Sequence, residues 1–216
     1  MSKTLLAAVI VAAGFTFARP AAAQTAPIRH WSLGLEGGAQ GVEHIGGLGG
    51  AQLGIRLSSR LDLFGEAVYL QDIVSRRQLG AADTIAAYLT ESQGQPASGD
   101  LRIPAWTGSI GLRLFLKSHG TVRVYLTGQA GAARATFIPS FALAGGDVTK
   151  TLPTYGVVAG SDLTGETTQP VAGGGLGIMV GQGAWYFDTS IRLLSVRFEG
   201  HPSNVGTVAF GIGRRF

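Results

Sequence analysis

Residues 208–216 read Val208-Ala209-Phe210-Gly211-Ile212-Gly213-Arg214-Arg215-Phe216 and stop there. Val208, Phe210, Ile212, Arg214 and Phe216 share one parity. In an extended chain they therefore share one face, with small residues and Arg215 on the other. An apolar face that ends flush on an aromatic carboxy-terminus predicts a strand over 205–216.

Working back from that strand, the same alternation recurs seven times. The segments are about 30–39, 48–57, 61–71, 104–116, 121–136, 170–181 and 184–198. Trp31, Leu33 and Leu35 oppose Glu36; Leu53, Ile55 and Leu57 oppose Arg56; Leu61, Leu63, Ala67 and Tyr69 oppose Asp62 and Glu66, with Phe64 and Val68 blurring that third segment. Trp106, Ile110, Leu112 and Leu114 oppose Arg113. Val122, Val124, Leu126 and Ala130 oppose Arg123, Thr127 and Gln129. Leu176, Ile178 and Val180 oppose a glycine-rich face; Trp185, Phe187, Ile191 and Leu193 oppose Asp188, Ser190 and Arg192. Each segment matches the roughly 9–11 residues a tilted membrane strand needs.

The connections sort by length. Ser58-Ser59-Arg60, Lys117-Ser118-His119-Gly120 and Gly181-Gln182-Gly183 are tight turns, while 40–47, 72–103, 137–169 and 199–204 read as longer connections. Short and long alternate, and every short turn falls on the side of the termini. The predicted fold is therefore all-β: an eight-stranded antiparallel up-and-down transmembrane β-barrel. A soluble barrel of lipocalin type is the alternative.

Charge decides which face meets lipid. Glu36, Arg56, Asp62, Glu66, Arg113, Arg123, Asp188, Arg192 and Arg215 all lie on the second parity. A charge on the lipid face at the midplane costs about 2–4 kcal/mol, so this parity points inward. The set holds five cations and four anions. It reads either as a mutually paired plug, since eight strands leave an interior that side chains fill, or as a narrow ion conduit gated by Arg and Glu. Trp31, Trp185, Phe187 and Phe216 then form one aromatic girdle, with Tyr69 and Trp106 at the opposite one.

At the other end of the chain, Lys3 gives a basic start, Leu5 to Phe17 an apolar run, and Ala21-Ala22-Ala23 a small-residue cleavage site. Residues 1–23 are expected to be a secretory signal peptide, leaving 24–216 as the outer-membrane β-barrel domain. Removing those 23 of 216 residues leaves 193, enough for one domain. The signal removes Lys3 and Arg19 from 17 basic residues, so 15 basic face 13 acidic. That near-neutral balance argues against a nucleic-acid footprint. Cysteine is absent, so no disulfide holds the fold and no cysteine chemistry is available.

With both ends in view, Val208, Phe210, Ile212 and the terminal Phe216 resemble the β-signal read by the assembly machinery of Gram-negative outer-membrane barrels. Arg214 departs from that pattern, which more often has an aromatic or apolar residue there. Signal, strand pattern and terminus together resemble the small eight-stranded barrels of the OmpA/OmpX type, also described as porin-like. The resemblance spans the whole mature chain and includes no diagnostic functional motif. It implies residence in the bacterial outer membrane, contact with its lipid and lipopolysaccharide, and a structural or surface-interaction role. Unlike full-length OmpA, a barrel ending at Phe216 is expected to carry no peptidoglycan-binding domain.

Chemistry is sparse. His201-Pro202-Ser203-Asn204 resembles the H-x-S-N stretch of lipid A deacylases, which implies His201 as base and Ser203 as nucleophile. No Asp or Glu follows Ser203 to orient the histidine, so the four residues read as turn chemistry ahead of a catalytic pair. His30, His44, His119 and His201 lack metal-ligand spacing. Gly173-Gly174-Gly175-Leu176-Gly177 lies on a strand and opens no helix. No enzyme activity, cofactor or metal is expected. Function is expected in the two longest connections, 72–103 and 137–169. The first carries Arg76-Arg77 and a short helix at Asp83–Glu91. The second carries Phe137, Phe141 and Tyr155. Two readings stay open for them: unstructured surface loops, or a binding surface for an unknown surface ligand.

Overall fold

A computed structural model describes residues 31–119, 121–160, 163–198 and 201–216, the side chains of Lys117, Ser118, His119 and His201 excepted. The signal segment 1–23 lies outside the described residues. The elements are β1 (Trp31–Gly41), β2 (Ile45–Arg56), β3 (Leu61–Leu70), α1 (Arg76–Gln93), β4 (Ala97–Arg102), β5 (Ala105–His119), β6 (Val122–Leu143), β7 (Gly146–Asp147), a 3₁₀ segment (Thr149–Tyr155), β8 (Gly165–Val180), β9 (Trp185–Phe198) and β10 (His201–Arg215).

Eight of the strands close a ring in the order β1-β2-β3-β5-β6-β8-β9-β10, every neighbour antiparallel, with β10 pairing back onto β1. The register can be followed around it: Trp31–Ile55–Leu63–Leu112–Gly128–Gly174–Leu193–Gly206–Gly41. The path returns to β1 ten residues beyond its start, and that shear over eight strands gives a tilt of about 40°. One step around the ring then rises about 3 Å, and one residue along a strand about 2.5 Å.

This geometry measures the apolar exterior. From Trp106 the register runs through Tyr69 and Gly49 to Gly37, and Trp31 lies six residues further down β1. Three steps and six residues put the two tryptophans about 25 Å apart in height, the thickness of an outer-membrane apolar band. Leu33, Leu35, Leu53, Ile110, Leu112, Leu176, Ile191, Leu193, Val208, Phe210 and Ile212 cover it, all pointing outward. Phe216 and Trp185 close its lower rim, where Arg214 stacks over both rings at 5.2 and 5.8 Å. Exposed apolar surface of this extent has its solvent in lipid.

Three expectations need correction at the end away from the termini. The connection at 40–47 shrinks to residues 42–44, because β2 begins at Ile45. The connection at 199–204 loses residues 201–204 to strand, since β10 begins at His201 and pairs with Phe198. Short and long connections therefore do not alternate strictly: two of the far-end connections are tight and two are long. At the near end the turn placed at 117–120 is shorter, because β5 runs to His119. In each case residues with turn character are pulled into the ladder by a neighbour that leaves their backbone groups paired.

Glycines on the inner face make room for tyrosines. A Cβ at Gly177 would stand 2.3 Å from the Tyr125 ring and hydroxyl, and one at Gly213 would stand 2.2 Å from the Tyr186 ring. Tyr125 and Tyr186 are buried with Phe115 and Met179 in a small cluster low in the barrel. Gly177→Val should cost about 1–3 kcal/mol by overpacking, read as a lower urea midpoint for the folded, fast-migrating gel band. Adding Tyr125→Ala should cost less than the two changes separately, because the clash is shared. Simple additivity would show that the ring is not what the glycine accommodates.

Candidate functional site

The inner face is built in two storeys. All eight residues of the expected charge network, Glu36, Arg56, Asp62, Glu66, Arg113, Arg123, Asp188 and Arg192, point inward, as does Arg215. They do not form one cluster. Highest is Arg192 on β9, only 6% exposed, which donates to Glu36 on β1 at 2.7 Å and Glu66 on β3 at 2.6 Å. Glu66 also accepts from Ser109 on β5 at 3.2 Å and Gln129 on β6 at 2.6 Å. One buried carboxylate thus ties strands from opposite sides of the ring through charge-assisted bonds.

Below it, Arg113 is 2% exposed and donates to Gln52 at 2.7 Å, with the Asp188 carboxylate at 3.4 Å. Its guanidinium stacks on Tyr125 at 4.5 Å and Phe64 at 5.4 Å, while the Tyr125 hydroxyl donates to Asp188. Stacking of this kind suits a desolvated guanidinium. Lowest, Arg56 donates to Asp62 at 3.2 Å, and Arg56 and Arg123 both lie over the Phe115 ring, at 5.7 and 5.5 Å. Arg215 lies over Tyr186 at 5.0 Å and donates to the Met179 sulfur at 2.9 Å. The aromatics and Gln52 were not anticipated as partners. Their parity was readable, but the pairing across strands needs the register.

The upper storey is mostly apolar, with Gln40, Thr107 and Thr207 buried among it. Val68, Leu70, Ala105, Ala133, Ala135, Val171, Leu194, Val196 and Val205 point inward, merging with a cluster formed by the long connections. The inner face therefore changes character near the outer girdle, above the expected charge network.

Over that mouth the two long connections fold into a cap. The first holds α1, which spans Arg76–Gln93 rather than Asp83–Glu91. Its start is fixed by a capping box in which Ser75 and Gln78 exchange bonds, and its end by Gly94 in the left-handed region at φ 64°. Ala82, Ala86 and Leu89, at spacings of four and three, face inward. β4 follows and pairs with an extension of β6 beyond the barrel, Ile138–Leu143, which also carries β7. Phe141 is fully buried among Leu89, Leu101, Val148 and Leu152. At the turn after β7, the Thr149 backbone N–H donates to Asp147 at 2.9 Å, and the Thr149 hydroxyl and backbone together hold that exposed carboxyl below its ordinary value.

The cap is fastened to the barrel by polar contacts. Asp72, 7% exposed, accepts from the backbone of Val74 and Ile103 at 3.0 Å each, and faces His44 at 3.1 Å. Gln40 donates to the Asp72 carbonyl. Ser203 is buried on β10, not on a turn as its sequence suggested, and its hydroxyl donates to the Ile73 carbonyl at 2.9 Å. The side chain of His201 lies outside the described residues. Among those described, no group of three or more His, Asp or Glu could hold a metal ion.

No protein-family model and no curated protein sequence matches the chain. Solved structures do. Neisserial surface protein A is similar over 87% of this chain and 97% of its own, at 11% identity and a TM-score of 0.54. The N-terminal β-barrel domain of Pseudomonas aeruginosa OprF covers 86% and 97% at 14% identity and a TM-score of 0.45. The attachment invasion locus protein Ail of Yersinia pestis covers 87% and 97% at 12% identity and a TM-score of 0.44. The chain has the fold of the small eight-stranded outer-membrane barrels, the OmpA/OmpX type that its sequence resembles.

Proposed function

We propose that this protein is an integral outer-membrane barrel that conducts no ions and works through its cap at the cell surface. The folded cap carries this reading. Two long connections, which had no need to fold for the ring to close, pack over the mouth in one buried cluster with the upper barrel residues. A rigid, pre-organised outer surface suits recognition, because little ordering entropy is lost on binding. The charged storey supports closure from below: each of its four carboxylates lies within 3.5 Å of a guanidinium in a lumen that side chains fill. The apolar band about 25 Å tall supports residence in the membrane. We read the outer-membrane assembly machinery as the partner for Val208, Phe210, Ile212 and Phe216, and residues 1–23 as the export signal.

The full chain, folded into planar bilayers, should give no regular unit steps of conductance. Large, uniform steps would overturn the closed-lumen reading in favour of a porin. Ser203 supports a non-enzymatic role, since its hydroxyl already donates to the Ile73 carbonyl within the buried mouth. Incubation with lipid A followed by mass spectrometry should show no acyl loss. Loss that Ser203→Ala abolishes would establish the deacylase instead.

A further inference from the structure

The ring is incomplete at one seam. β8 begins at Gly165 and β9 runs to Phe198, yet their pairing starts only at Val171 with Val196. Above that point, Gly165–Pro170 pairs with β6 alone, and Arg197 and Phe198 pair with β10 alone. Pro170, with no N–H to offer, stands where the ladder stops. Between the two free edges lies a cavity of about 500 Å³, within the range of small-molecule sites. Phe137 and Phe198 form its floor, their rings edge to face at 6.0 Å, and Pro202 and Ala81 continue the apolar wall. Thr167 and Gln169 line the opposite edge, and Arg76 and Arg77 of α1 stand at the rim.

Height places this cavity against lipid headgroups. From Trp106 the register passes through Arg134 to Thr168, two steps up, and Val171 lies three residues back down β8. By the same rise per step and per residue, Val171 is level with Trp106 to within about 2 Å. The seam therefore opens at the outer girdle and continues above it, where a lipid's phosphate and sugar would sit and its chain would leave downward.

The charges select the ligand. Glu166, the acid lining the cavity, is already paired with Arg134. Arg76 reaches out to Glu43 at 3.2 Å from a largely exposed position. Arg77 has no carboxylate within salt-bridge reach among the described residues, and no acid occupies the first turn of α1. Arg76 and Arg77, both lining the aromatic slot, supply positive charge that complements a phosphate on an acyl chain, Arg76 exchanging its exposed Glu43 partner for it, and Thr167 and Gln169 suit sugar hydroxyls. We propose that the β8–β9 seam binds one phosphorylated glycolipid of the lipid A type from the surrounding leaflet, phosphate on Arg76 and Arg77, one acyl chain against Phe137 and Phe198. This rests on the outer-membrane reading above and gives the expected lipopolysaccharide contact a defined site and stoichiometry.

The full chain, folded in detergent micelles and titrated with purified bisphosphorylated lipid A, should retain one molecule by native mass spectrometry. Arg76→Gln with Arg77→Gln should weaken retention about tenfold or more. Ala81→Phe, which fills the slot without touching the charges, should do the same. Dephosphorylated lipid A should be retained as poorly as by the double variant. Equal retention by wild type and both variants overturns the site, as does equal retention of phosphatidylglycerol or competition by inorganic phosphate alone. Heat-modifiable mobility and membrane fractionation separate the two levels: a barrel that fractionates with the outer membrane yet retains no glycolipid loses the seam proposal only, whereas one found elsewhere loses the reading beneath it.

Discussion

Arg192→Leu should lower the stability of the folded barrel by about 3–5 kcal/mol, the loss expected when one member of a buried ion cluster is removed. The side chain is the only cation within salt-bridge distance of Glu36 or Glu66 among the described residues. Its removal leaves two carboxylates in a desolvated lumen, and no relaxation of eight hydrogen-bonded strands can bring water to both. Urea titration of the protein in lipid vesicles, followed by gel mobility, reads the change. Combining Arg192→Leu with Glu36→Gln and Glu66→Gln should restore most of the loss, since a neutral cluster has no charge to strand. Arg134→Ala provides the contrast: the Arg134–Glu166 pair is exposed on both sides, and its loss should leave the midpoint unmoved. A fall with Arg134→Ala as large as with Arg192→Leu would mean that burial is not what gives the lumen pair its weight.

Which parts of this arrangement can be read from sequence follows from how costly each violation would be. Leu33 and Leu35 beside Glu36, or Ile191 and Leu193 beside Arg192, cannot exchange faces, because the lipid face admits no charge; parity there is unambiguous. The far-end hairpins gave no such constraint. Gly46-Gly47 in β2 and Pro202-Ser203-Asn204 in β10 have the composition of turns, and only the neighbouring strands make them ladder. Phe64, Tyr125 and Tyr186 are apolar residues on the charged parity. Their places become intelligible once the register sets Gly177 opposite Tyr125, and Gly213 opposite Tyr186. The upper storey was hidden for a simpler reason: polar and apolar residues mix on both parities there, Val68 beside Ala67 and Tyr69, Val205 beside Asn204 and between Ser203 and Thr207, so periodicity has no contrast. In the cap, Ser75 and Gln78 did carry a helix start, but the buried face of α1 is Ala82, Ala86 and Leu89, and alanine gives little periodic signal.

Phe141→Ala should unfold the cap while leaving the ring intact. The ring of Phe141 is fully buried and lies over Gly99, whose missing Cβ would stand 3.0 Å from it. Its backbone also holds the second connection, donating to the Thr149 hydroxyl at 2.8 Å and accepting from Val148 at 2.9 Å. Truncating a buried phenylalanine costs about 3–5 kcal/mol, comparable with the whole stability of a small element. The cost stays local because the charged storey contributes nothing to that cluster, and the barrel residues that do belong to it, such as Val68 and Val205, are held by their own strand ladders. Trypsin should therefore cut the variant rapidly at Arg76, Arg77, Arg102 and Lys150, exposed side chains whose backbone the folded cap holds in helix, strand or 3₁₀ turn, and leave a barrel that still shows heat-modifiable mobility. Cleavage at the wild-type rate, or loss of the folded barrel with the cap, would show that the two are not separate cooperative units. The opened variant should still give no unit conductance, because Arg192 and Arg113 close the lumen below the level of Val171. The two closures lie in series, so opening the upper one exposes the apolar storey to water but provides no path through the charged one.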